Sequence, residues 1–216
     1  MKNEGLPSGG MALEGWLIVL STLLMLLFLR NYLNVIPHVL DSFSRERGNS
    51  DIEGSVRKSR DRNICALILL IPTILVLDHF RIYAPRFMDP LDKDIRLLAV
   101  GGAFLGYLLV RMAVRSAAAP KKRRDAYQRA ARFSGTFFIL LCSVVLTSIG
   151  ILAAFHVPAG GIRTVILVES IFIYLVFLLR KAQILSGFCN PLSVFLYLCA
   201  LELLPTGLFI ASAAVL

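Results

Sequence analysis

The sequence has no polar stretch long enough to fold as a separate soluble domain; the longest runs over about 41–63. It also lacks the signatures that usually announce an enzyme. There is no G-x-S-x-G, no H-E-x-x-H, no P-loop and no dinucleotide glycine motif. These absences weigh against the common hydrolases, metalloproteases and nucleotide-dependent enzymes. The four cysteines, Cys65, Cys142, Cys189 and Cys199, form no C-x-x-C pair and fall in or beside apolar runs, so they read as small packing residues. Internal repeats of the kind that build inverted-repeat transporters are missing too. The N-terminal apolar run is followed by Arg30, Asn31, Tyr32 and Leu33 rather than a small-x-small cleavage pattern, so it is expected to be a retained first span.

What is present in quantity is apolar sequence. Hydrophobic residues make up 57% of the 216, and mean hydropathy is +0.74. A soluble domain is roughly 45–50% apolar. Charges cluster between long apolar runs, the pattern of a multi-pass membrane protein. The expected fold is all-α: a polytopic membrane helix bundle of about six transmembrane helices in one domain, 1–216. The spans are expected at about 15–36, 63–80, 97–114, 134–155, 164–179 and 191–216. The second, third and fifth are near or below the length that a bilayer requires, about 17–25 residues. In the third, Gly102-x-x-x-Gly106, and in the fourth, Ser143, Thr147, Gly150 and Ala154, predict tight packing of these spans, in the same molecule or against a partner.

The net charge of +9 comes from basic residues that flank the spans, which argues for membrane topology and against nucleic acid. Loops between spans 1 and 2, 3 and 4, and 5 and 6 hold fifteen Lys and Arg, against six on the alternate side. The positive-inside rule then puts those loops in the cytoplasm and both termini in the periplasm of a bacterial inner membrane. Arg111 and Arg115, four apart on one helix face, and Lys121, Lys122, Arg123 and Arg124 are expected at anionic lipid headgroups. The opposite loop, 81–96, holds two prolines and three acids, and is expected to lie on the outer surface as a short interfacial element, with a helix starting after Asp92.

Glu202 is the leading candidate for function, because acids inside a membrane are costly and functional by default. It lies eleven residues past Pro191, about 16 Å along a helix at 1.5 Å per residue. Cys199 and Thr206 share its face, and Pro205 predicts a kink beside it. Glu169 is the second intramembrane acid and is expected to share a cavity with Glu202 if the two helices face each other. At the outer level Asp78, His79 and His156 form a weaker set, for a metal or proton relay or simply for span ends. No residue set qualifies as catalytic or metal-binding, and no cofactor is expected.

YLVFLLR at 174–180 and FLYLCALELLP at 195–205 together resemble the C-terminal half of an uncharacterised family of Bacteroidota multi-pass inner-membrane proteins, a domain of unknown function. The resemblance rests on Leu198, Cys199, Glu202 and Pro205. It implies a membrane location and an emphasis on Glu202, with no activity or cofactor attached. The expected function is a non-catalytic inner-membrane subunit or scaffold of a cell-envelope complex, with a membrane protein or a second copy as partner. Two alternatives stand beside it: an ion- or proton-coupled transport component using Glu202 with Glu169, and a membrane enzyme acting on lipid.

Overall fold

A computed structural model describes residues 13–44, 56–118, 124–187 and 190–215. The described chain is helical, without strands. In chain order the helices are α1 (Leu13–Leu27), α2 (Leu29–Ser44), α3 (Val56–Ile68), α4 (Leu70–His79), α5 (Lys93–Ala118), α6 (Arg124–Ala154), α7 (Ala159–Ser186), α8 (Pro191–Leu198) and α9 (Leu204–Val215). A 3-10 turn, Arg86–Met88, precedes α5, and a π turn, Cys199–Leu203, joins α8 to α9. Five helical stretches are long and apolar enough to cross a membrane, and a sixth is added if the bent pair α1–α2 counts as one. The helices are those of a membrane-embedded bundle.

Helix extends beyond the apolar runs because polar flanks can carry on a helix whose backbone bonds are already made. The stretch Arg57–His79 has 23 residues, Lys93–Ser116 has 24 and Ala159–Ser186 has 28. At 1.5 Å per residue the last covers about 42 Å, more than the roughly 30 Å of a hydrocarbon core. The second, third and fifth spans are therefore not short. The extension of α7 matters most, since it takes Lys181 out of the loop where the apolar run alone would leave it and buries it completely.

The first span departs furthest from expectation. It is two helices bent by 73° at Phe28. Glu14, at the head of α1, pairs with Lys93 and lies 3.5 Å from His79, at the α4–α5 end of the bundle. α2 packs Val35 and Val39 against Cys65, Leu69, Ile139 and Cys142, on α3 and α6. The Tyr32 hydroxyl donates to Ser143 at 2.7 Å, tying α2 to α6.

α6 and α7 make the most extensive pair, with Phe133 and Phe137 stacked on Phe177 at 5.8 and 4.2 Å. α5 packs chiefly on α4 and α9, and meets α6 only through a few side chains. Within the chain, the close approach of spans 3 and 4 read from their small residues is thus not made. Gly102 and Gly106 face open space, and a Cβ on Gly101 alone would meet a neighbour, Ile74, at 3.4 Å. The loop before α5 is anchored to the bundle by two of its residues, while Arg86, Phe87, Asp89 and Pro90 are exposed. Tyr83 and Met88 are buried against Val100, with Tyr83 stacked on Phe209 at 4.6 Å and bonded to Ser212 at 3.1 Å, so the loop closes that end of the bundle. α5 does begin just after Asp92, whose carbonyl accepts the Arg96 amide at 2.8 Å.

Because Gly102 and Gly106 touch nothing, Gly102→Ala and Gly106→Ala are expected to leave thermal stability in detergent within about 0.5 kcal/mol of the parent. A large loss of the folded monomer from either change would show that this face is packed after all.

A buried carboxylate ringed by three cations

Glu202 sits in the π turn with no exposed surface. The turn has a local cause. Pro205 brings no backbone N–H, so the regular ladder fails at this point. The helix widens instead: the Leu204 amide bonds the Cys199 carbonyl, five residues back. The Glu202 carbonyl accepts from the Tyr174 hydroxyl at 3.1 Å, so α7 satisfies backbone that the irregular turn frees.

Both carboxylate oxygens are engaged. Arg111 donates to Oε2, while Arg115 at 2.8 Å and Lys181 donate to Oε1. Arg111 and Arg115 come from one face of α5, four residues apart, and Lys181 comes from α7. Ser134 on α6 joins them, its hydroxyl accepting from Arg115 at 2.7 Å and from Lys181 at 3.2 Å. Four membrane helices thus meet at one node. Aromatic rings form its floor: the Lys181 ammonium lies 5.1 Å from the Phe177 centroid and 5.8 Å from that of Tyr197, and Arg111 lies 5.9 Å from Phe177. Ring faces carry negative potential and favour the cations there. One turn further along α9, Thr206 bonds Tyr107 at 3.1 Å and Tyr174 at 3.3 Å, so the polar contact continues along the face that Glu202 begins.

The node stands at one end of a groove of about 630 Å³ between α3–α4, α5 and α6. It is lined at that end by Asn63, Arg111, Arg115 and Ser134, and it reaches Ile82 at the far end. Much of the wall between is apolar, with Leu67, Leu70, Leu108 and Leu141 among its residues. The groove separates α5 from α6. Arg115–Ser134 and the ring contact Phe104–Phe138, at 6.4 Å, reach across between these helices.

The other candidates go elsewhere. Glu169 accepts from Ser148 at 2.7 Å on the α6–α7 interface and is not among the groups bonded to Glu202, so the two acids do not form a pair. Cys199 is half-buried at the head of the π turn. Asp78 is buried and takes two bonds from Arg96, at 2.7 and 3.3 Å, while His79 faces Glu14. Exposed His156 shares no hydrogen bond or ion pair with either among the described residues. It holds a helix end: with φ of 55° it occupies the left-handed position after α6, where the Val157 amide bonds the Leu152 carbonyl. Among the described residues no group of His, Cys, Asp and Glu could hold a metal. Lys121, Lys122 and Arg123 lie outside the described residues, as does the side chain of Arg124.

Lys181 and Ser134 are the two members that the sequence reading misses. One signal was there for Lys181: Phe177, Lys181 and Leu185 recur every four residues and continue the buried face of α7. Comparison with known proteins finds no family model, no curated protein and no solved structure that matches the chain.

Removing one partner of a buried ion pair strands the other and costs about 3–5 kcal/mol. Glu202→Gln strands three cations, so a loss of at least that size is expected in the thermal unfolding of the detergent-solubilised chain. Lys181→Met is expected to cost clearly less, because the carboxylate keeps both arginines. Equal losses from the two changes would contradict the node as described.

Proposed function

We propose that the chain is a non-catalytic integral component of a bacterial inner membrane, a subunit or scaffold of an envelope complex, with Glu202 as its structural lock. The observation that carries this is the engagement of both Glu202 oxygens by Arg111, Arg115 and Lys181. A carboxylate held by three cations and sealed from solvent is suited to fixing helix register, and poorly suited to taking up and releasing a proton or ion. That engagement favours the register-fixing role over the transport alternative. The lipid-enzyme alternative draws less support, since Asp78 is held by Arg96. The excess of basic residues at the loops 45–62, 115–132 and 180–181 supports a cytoplasmic location for that end and a periplasmic one for the termini. The residues at 174–180 and 195–205 support a place in the Bacteroidota family that they resemble.

Purified from its own membranes in mild detergent, the chain is expected to run in fixed ratio with a second membrane protein or a second copy, well above its own 23.9 kDa. A lone monomer in several detergents and in cross-linked membranes overturns the scaffold reading. Proton or ion flux through reconstituted vesicles that disappears in Glu202→Gln, with the folded protein still present, would restore transport instead.

A further inference from the structure

We propose that the groove between α3–α4, α5 and α6 binds an anionic phospholipid, with the phosphate at Arg111 and Arg115 and an acyl chain along the apolar wall. This goes beyond the scaffold reading and does not depend on it, since a monomer could hold the lipid equally well.

Charge is the first argument. Glu202 answers one positive charge, yet three basic side chains surround it. The surplus lies in a bundle with little water to screen it, and a bound anion would neutralise it. The donors are the second. The Nε–H groups of Arg111 and Arg115 are both buried and have no hydrogen-bond partner among the described residues. Arg111 is itself only 9% exposed, and both arginines line the groove. Two guanidinium groups one helical turn apart, each with an unused N–H, suit a tetrahedral oxyanion that presents several acceptor oxygens.

The shape decides what carries the anion. Arg115 is three residues from the end of α5 at Ala118, so the polar end of the groove lies near the end of the bundle. From there the groove follows α3–α4 from Asn63 to Leu77, about 21 Å at helical rise. A free phosphate ion would leave that wall empty, whereas an acyl chain covers it and gains from burial at roughly 25 cal/mol per Å² when the reference is water. A zwitterionic head would bring its own cation towards two arginines. The occupant that satisfies both ends is a lipid with net negative charge at its phosphate.

The test uses the full chain in mild detergent, read by native mass spectrometry, with phosphatidylglycerol, phosphatidylcholine or inorganic phosphate added. One phosphatidylglycerol per chain is expected, with a preference of about tenfold over phosphatidylcholine, a difference of roughly 1.4 kcal/mol. Leu108→Trp fills the groove while leaving Arg111, Arg115 and Glu202 in the chain, and is expected to reduce phosphatidylglycerol retention by about tenfold or more at an unchanged thermal midpoint. Should that variant fail to fold, Leu70→Trp on the facing wall carries the same expectation. Arg115→Gln is expected to abolish the preference between the two lipids. Equal binding of both lipids by the parent chain overturns the proposal, as does retention undiminished by either tryptophan. Inorganic phosphate that displaces phosphatidylglycerol at millimolar concentration, in a chain indifferent to the tryptophans, would make this a free-anion site and overturn it as well.

Discussion

Taking a carboxylate or an ammonium out of water costs several kcal/mol even after the surroundings relax, and a membrane bundle has little water to return it to. Glu202 and Lys181, both without exposed surface, meet that cost only together and only with the arginines of α5 beside them. The demand reaches well beyond the four side chains. α5 must present residues 111 and 115 to α9, α7 must continue as helix past its apolar run, and α6 must place Ser134 between the cations. A π turn sets the rotation of Glu202 relative to α8. None of these arrangements is favoured by apolar packing alone, because lipid tails are as apolar as leucine and leave helices little reason to choose one neighbour over another.

The same requirement accounts for the gap in the bundle. α5 is drawn towards α9 and α7 by its arginines, and its glycine face is left towards open space. α6 is held by the aromatic stack with α7 and by the docking of α2. The space between α5 and α6 is what remains when two helices adjacent in sequence are each committed elsewhere. It carries a polar end because Arg111 and Arg115, while bonded to Glu202, also line that space.

Much of this was legible from residues in order. The apolar runs marked five membrane-length helices to within their polar flanks, and a sixth span only if the bent pair α1–α2 counts as one. The spacing of Arg111 and Arg115 put them on one face, and Glu202 before Pro205 marked an irregular, buried acid. Lys181 was not legible as a partner, since a hydropathy run ends where charge begins, whereas a helix ends where its backbone bonds end. The arginines were read as flanks for a related reason: residues near a membrane surface have lipid as a ready partner, and only the three-dimensional arrangement brings an acid within reach. The small residues of α5 were misleading because Gly-x-x-x-Gly permits close approach without supplying a partner. His156 was counted for its imidazole, yet its backbone angle is what the fold uses.

The break at Phe28 bears on how such a chain enters a membrane. α1 has 15 residues and covers about 22 Å, short of a hydrocarbon core of roughly 30 Å, and α2 brings Arg30, Asn31, Asn34 and Asp41 with it. Neither half is a self-sufficient membrane segment. Their place is secured by Lys93, by the α3 and α4 surfaces and by Ser143 on α6, all of which emerge from the ribosome later. The position of α1 and α2 thus depends on contacts with segments that follow them in the chain.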